Sequence, residues 1–415
     1  MTREQEKIPL RVQAAVYGAA TFSNTMPNMS WVVMPLWVAS LDVPAVMIGI
    51  ALGCRHIGPV LLSIHGGVLM DRFGIRRMML IFATIGVIAP LLFPLFPFIG
   101  AVIVLQMIVG LVDSLGWVGA QALVGREMKG DPKYGGRMSF CTRLGLFAGP
   151  PLAGLSWDLI GPFGGFVMVS LWSGGILVSL MLLRGTGVGG ALDSQQAAPV
   201  PLSLKSLLPR LSDYRAAFRL LALPAMSFIM VMTMLRHVGG GIQGSFYVVY
   251  LEGIGISATM IGVLLTVSGV FGLAGSLGVA PLLRFQRAHW FLLWTVIVSL
   301  VFVVITPALT GLPELMLATG LRGGALAASL VLLMTLIARV AGPQLQGQAM
   351  GLRVTLNQMV WFIVPITMGA LIDLIGMAAS FYLIGAVTLG LMVFAGLRAA
   401  RTRPFDEYDG ASGSG

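Results

Sequence analysis

Of the 415 residues, 57% are hydrophobic and only 10% charged, against about 25% charged in an ordinary soluble domain, which excludes a water-soluble globular chain. A hydrocarbon core of roughly 30 Å takes about 20 apolar residues per helix, so the chain is long enough for about twelve spans joined by short loops. The net charge of +10 would suit a nucleic-acid partner only if the basic residues gathered on a soluble face; they fall instead between apolar segments, and none is expected.

The predicted spans cover residues 12–39, 44–69, 77–98, 100–126, 136–160, 163–184, 220–250, 257–283, 289–308, 313–339, 350–373 and 377–398. Met1 to Lys7 is polar and no small-residue cleavage site follows, so the first apolar segment reads as a retained helix. Pro27, Pro35, Pro59, Pro150 and Pro365 stand where they can kink long spans. The even-numbered connections and both termini carry the basic residues, among them Arg72, Arg76, Arg77, Arg126, Lys129, Arg284 and Arg287, whereas the odd-numbered connections carry no Lys or Arg. That asymmetry predicts cytoplasmic termini, and a bacterial inner membrane is the expected location.

Residues 1–184 form a first group of six spans and 220–400 a second. The linker 185–219 begins rich in Gly, Ser, Gln and Pro and ends in an amphipathic stretch, Leu202 to Arg219, whose Lys205, Arg210, Arg215 and Arg219 alternate with leucines. It is expected to lie on the anionic inner leaflet. Residues 401–415 are a tail ending in a Gly/Ser run. An internal repeat supports the division: Gly154-Leu-Ser-Trp-Asp158-Leu-Ile-Gly161 matches Gly369-Ala-Leu-Ile-Asp373-Leu-Ile-Gly376, with Gly136 against Gly351 and Pro150 against Pro365 in the same register.

After the second span stands Gly67-Val-Leu-Met-Asp71-Arg72-Phe-Gly74-Ile-Arg76-Arg77, or Gly-x-x-x-Asp-Arg-x-Gly-x-Arg-Arg. This resembles the signature between the second and third helices of the major facilitator superfamily. The resemblance implies an all-α membrane fold of twelve helices in two pseudo-symmetric bundles, alternating access between them, and a cytoplasmic latch made by Gly67, Asp71, Arg72, Gly74, Arg76 and Arg77. The family's usual basic residue is replaced by Ile75. In the fifth span Gly145, Gly149-Pro150 and Gly154 resemble the facilitator antiporter motif, with Ala153 in place of one glycine. Small residues at that spacing also let helices touch backbone to backbone in any membrane bundle. In the fourth span Gln106 stands where many proton-coupled members carry arginine; it shares a helical face with Gly110, Asp113, Trp117 and Gln121 that lines water or another helix.

Ionisable residues at membrane depth carry the functional expectation: Arg55, His56, Asp113, Arg143, Arg236, His237 and Arg322. An arginine at mid-bilayer costs roughly 2.5 to 3.5 kcal/mol even on lenient scales, so each needs a partner, a wet cavity or a ligand. Asp113 can neutralise one arginine as a structural clamp, but not four. Arg236, Gly240, Gln243, Tyr247 and Tyr250 recur at helical spacing as a polar stripe with aromatic walls, and Asn24 and Asn28 lie similarly in the first span. Together these residues predict a net positive site for a small organic anion, with Asp113 or His237 exchanging protons or holding a buried ion pair. Two other readings stay open, a multidrug or lipophilic-compound exporter and a non-transporting receptor or assembly factor with the same fold. Neither a catalytic motif nor an ATP module is found, Cys54 and Cys141 lack metal-ligand spacing, and the chain is expected to work as a monomer without metal or cofactor, driven by protons or a counter-transported solute.

Overall fold

The computed structural model describes residues 8–60, 70, 73–128, 132–183 and 218–406. Apolar sequence and regular φ/ψ make nearly all of it helical: α1 (Leu10–Ala39), α2 (Ala45–Cys54), α3 (Ile75–Leu95), α4 (Ile99–Glu127), α5 (Pro132–Ile160), α6 (Pro162–Leu182), α7 (Pro224–Gln243), α8 (Phe246–Gly253), α9 (Ala258–Leu282), α10 (Ala288–Val304) and α13 (Met377–Thr402). Between α10 and α13 run α11 (Leu312–Gly342) and α12 (Leu345–Ile375), separated where Gly342 takes a left-handed φ of 62° ahead of Pro343. Among the described residues, eight helical stretches are long and apolar enough to cross a membrane by length and composition. The amphipathic stretch expected over the end of the linker lies outside the described residues except for Phe218 and Arg219.

Two predicted spans are interrupted. The second has a turn at Arg55 and His56 after α2. The seventh breaks at Gly244 and Ser245 between α7 and α8, where Ser245 leaves helical geometry (φ −133°, ψ −99°) and its hydroxyl donates back to the Gly241 carbonyl at 2.5 Å. The polar stripe from Arg236 to Tyr250 therefore changes direction after Gln243 instead of following one straight helix.

The chain forms two compact units. The first holds 1–41, 54–207 and the short segment 257–263; the second holds 42–53, 208–256 and 264–415. In the first, α1 packs on α5 and α6, and α3 on α4 and α6, around a core that includes Val16, Met79, Phe82, Leu115, Leu123 and Leu180. In the second, α11 and α12 pack against α7 and α10, with Met226, Ile229, Phe246 and Phe381 fully buried.

Each unit contains one copy of the Asp-Leu-Ile-Gly repeat, whose aspartate and glycine have distinct tasks in the structure. Gly161 and Gly376 end their helices at φ 80° and 82°, a region costly for any residue with a Cβ. In the first unit Asp158 accepts the backbone N–H of Ala258 at 3.0 Å and of Thr259 at 2.8 Å, plus the Thr259 hydroxyl. In the second, Asp373 accepts the N–H of Ala45 and of Val46, both at 2.9 Å. Each carboxylate thus caps, from a distant helix, the N-terminal N–H groups that α9 and α2 cannot satisfy themselves, where the helix dipole favours negative charge. Close approach makes this possible: a Cβ on Gly154 would collide with the Ala258 carbonyl, and one on Gly369 with the Ala45 carbonyl. Replacing Asp158 or Asp373 by alanine is expected to cost about 1 kcal/mol each, the usual loss for a cap. Thermal denaturation in detergent measures it, and a melting temperature unchanged in both variants would show the caps to be idle.

Candidate functional site

In the first unit, the turn that interrupts the second span points Arg55 at α4. Its Nη2 donates to Asp113 Oδ2 and its Nη1 to Gln106 Oε1 at 3.3 Å, and all three side chains are buried. Gly110 lies directly beneath the Arg55 carbonyl, leaving no room for a Cβ. The shared face of Gln106, Gly110 and Asp113 therefore packs on the second span, and Arg55 is the arginine that Asp113 clamps. Within this unit Arg55 is half of an ion pair. Asp113 Oδ1 has no hydrogen-bond partner among the described residues. It borders a cavity of about 10 Å³ shared with Ser23 and Gly116, about the space of one water.

Elsewhere in this unit, Asn28 spends its amide on the Asn24 carbonyl at 3.1 Å, and both side chains are half-buried. Arg143, on α5, is half-buried and makes no hydrogen bond or ion pair among the described residues. His56 is half-buried at the turn. Gly145 abuts Thr21 and Thr25 of α1, Gly149 abuts Thr25 and Met29, and Pro150 presents its carbonyl to Gly262, so the glycine-proline run is a helix-crossing surface. Of the latch, Gly67, Asp71 and Arg72 lie outside the described residues. Gly74 begins α3 at φ 88°, and buried Arg76 donates through Nε to the Leu180 carbonyl at 3.1 Å. Arg77 also takes part in an interaction.

The second unit holds a set of arginines that have no acidic partner among the described residues. Arg322 of α11, 2% exposed, donates through Nη1 to Gln243 Oε1 and through Nη2 to the Gly239 carbonyl at 3.1 Å, while its Nε has no partner. One turn before it on the same helix, Thr319 meets the Tyr247 hydroxyl at 2.7 Å. Arg236 of α7 donates through Nε to the Ser329 hydroxyl at 2.7 Å and through Nη2 to the Leu326 carbonyl at 3.1 Å. Its Nη1 lies 3.3 Å from His237 Nε2, and His237 Nδ1 lies 2.8 Å from the Thr233 carbonyl. A ring nitrogen facing a carbonyl must donate, so the proton sits on Nδ1 and Nε2 accepts from Arg236. His237 thus bridges the Thr233 carbonyl and Arg236.

Three further residues, absent from the sequence-derived set, complete the group. Arg353, Asn357 and Trp361 recur every four residues on α12 and share a face. Trp361 fills the notch left by Gly240 of α7 and Gly244 at the break after it, with its ring 6.3 Å from that of His237 and edge-on. Arg353 and Asn357 are half-buried, and Arg353 Nε and Asn357 Oδ1 are buried without partners. Their period of four was the signal in the sequence; Arg353 passes easily for an interfacial cation because it lies so near the start of its predicted span. No acidic side chain pairs with Arg236, Arg322 or Arg353 among the described residues. Of the five N–H donors each guanidinium carries, three of Arg236 and two of Arg322 are engaged, and those of Arg353 make no hydrogen bond among the described residues. A ligand offering carboxylate or phosphate oxygens beside an apolar or planar body would meet both needs of this group.

A family model described as Major Facilitator Superfamily matches residues 15–238 and 229–414. Among solved structures, the nucleoside transporter NupG superposes with a TM-score of 0.72 at 14% identity, over 96% of this chain and 99% of that one. A bacterial homologue of the human lysosomal transporter Spinster, inward-facing and unoccupied, gives 0.68 at 15% identity over 95% and 99%. A D-xylose–proton symporter gives 0.67 at 14% identity over 94% and 97%. At such identities the likeness is one of fold. A search of curated proteins finds no significant match.

Proposed function

Taking as premise that the chain belongs to the major facilitator superfamily, and so is a membrane transporter and not an enzyme, we propose that its solute is a small organic anion carried by alternating access. The observation that carries this reading is the set of Arg236, Arg322 and Arg353, three guanidinium groups within one unit and none with an acid partner among the described residues. Leaving a buried charge uncompensated costs several kcal/mol; neutral acceptors offset part of that at Arg236 and Arg322, and a bound anion offsets the rest. Gln243 and Tyr247 hold the α7–α8 segment to α11, Trp361 supplies an apolar wall, and Asn357 a further polar contact. Asn24, Asn28, His56 and Arg143 are further proposed substrate contacts, each within the first unit.

The Arg55–Asp113 pair is our candidate for coupling. Asp113 has one engaged and one unengaged oxygen, so a proton taken up there would loosen Arg55 without emptying the site of polar partners. Asp113-linked proton coupling or exchange for a second solute would supply the energy, with Asp71 and Arg72 latching the cytoplasmic side, both termini cytoplasmic and a monomer in the inner membrane.

Flux of labelled organic acids into proteoliposomes, at matched and opposed pH, tests the reading. Uptake or exchange competed by organic anions and not by lipophilic cations is the expected result, with a melting temperature raised by the same anions. Competition by lipophilic cations alone would favour the multidrug exporter, and absence of flux and stabilisation by any solute would favour a receptor.

A further inference from the structure

On the flank of the second unit, α7 and α13 leave between them an open groove of about 300 Å³. Its walls are apolar, from Phe228 and Val231 on one side and Leu391, Phe394 and Ala395 on the other. Around it the surface is that of a membrane span, with Leu391, Phe394 and Leu397 between 51% and 63% exposed. At one end the lining turns polar: Arg398, and Thr402 one turn further on. Arg398 is exposed and has neither hydrogen bond nor counter-ion among the described residues. Arg401 and Arg403 follow at the same end of the helix, and the nearby Asp406 is engaged by Arg287 at 3.4 Å. The Thr402 hydroxyl donates its proton to the Arg398 carbonyl at 3.0 Å.

The floor of the groove is built, not incidental. After Thr402 the chain doubles back through Arg403 in left-handed conformation, φ 43°. That turn drives Phe405 into the interior, 2% exposed, where it stacks on His289 at 4.6 Å and meets Phe228 edge-on at 5.6 Å. Phe228 is therefore held from behind while its outer surface lines the groove, and Pro404 closes the polar end.

We propose that this groove is a binding site for an anionic phospholipid, its acyl chain against Phe228, Leu391 and Ala395 and its phosphate on Arg398. An apolar slot ending in a guanidinium at the membrane interface matches a lipid in both parts: the chain gains apolar burial, and the headgroup a charge-assisted contact. A free anion would gain nothing from the apolar walls. A zwitterionic lipid fills the slot equally well but sets its own ammonium beside Arg398, Arg401 and Arg403.

Native mass spectrometry of the purified full-length protein, titrated with phosphatidylglycerol or phosphatidylethanolamine of identical chains, tests this. The expected result is one phosphatidylglycerol retained about tenfold more strongly than phosphatidylethanolamine. R398Q should bring the two to near parity, A395W should fill the slot and lose both, and R339Q, at an exposed arginine elsewhere, should leave the preference intact. Melting curves in lipid-free detergent establish that each variant is folded; should A395W fail that check, A395L, a smaller filling of the same slot, replaces it. Equal retention of the two lipids by the unaltered protein, a preference that survives R398Q, or full retention in the folded groove-filling variant would each overturn the proposal.

Discussion

Exchanging Arg353 for glutamine is expected to weaken anion binding by about tenfold to a hundredfold, the equivalent of one charge-assisted hydrogen bond at roughly 1.5 to 3 kcal/mol, and to leave the protein as stable as before or slightly more so. The two signs together make the prediction specific. An arginine that holds a fold together destabilises it when removed, because its acceptors are left buried and unpaired. Arg353 has no acceptor to abandon: its guanidinium makes no hydrogen bond among the described residues, and its Nε is buried without a partner. Taking away a charge that the folded protein leaves uncompensated removes a cost, and only the ligand loses by it. Arg322 is the contrasting case. It anchors Gln243 and the Gly239 carbonyl, so Arg322→Gln should lower both affinity and melting temperature. Anion titrations followed by thermal shift, with unliganded melting curves as reference, give both quantities in one experiment. A variant at Arg353 that melts well below the unaltered protein, or binds anions equally well, would remove it from the site.

How much of this could be read from the sequence varied with how local the cause was. The Asp158 and Asp373 repeat was legible as a repeat because its glycines answer a local demand, positive φ at a helix end. What the aspartates cap was not, since Ala258 and Ala45 lie far away in the chain. A shared face of Gln106, Gly110 and Asp113 followed from a period of 3.6, but the choice of Arg55 among four arginines depends on a turn at Arg55 and His56 that no spacing announces. Likewise the stripe on the seventh span assumed an unbroken helix, and the break at Ser245 redirected it. The residues missed altogether, Arg353, Asn357 and Trp361, form a period-four set whose meaning depends on notches at Gly240 and Gly244 elsewhere in the chain.

Breaking the Arg55–Asp113 pair one side at a time should be the most damaging change to the fold. Arg55→Gln leaves a buried carboxylate beside a cavity with space for about one water, and Asp113→Asn leaves a guanidinium with only neutral amide oxygens to receive it. Each uncompensated buried charge costs about 3 to 5 kcal/mol. The double variant Arg55→Gln with Asp113→Asn removes both charges and keeps neutral groups able to bond with Gln106, so most of the lost stability should return. A double-mutant cycle on melting temperature therefore yields a large positive coupling between the two sites. The same double variant separates structure from drive. Folded, but without an acid that can take a proton at this depth, it should still exchange anions down their own gradient and no longer accumulate them when a pH difference is imposed. Single variants that melt like the unaltered protein would dispose of the clamp, while a folded double variant that still accumulates solute in response to the pH difference would dispose of Asp113 as the coupling group and leave the clamp standing.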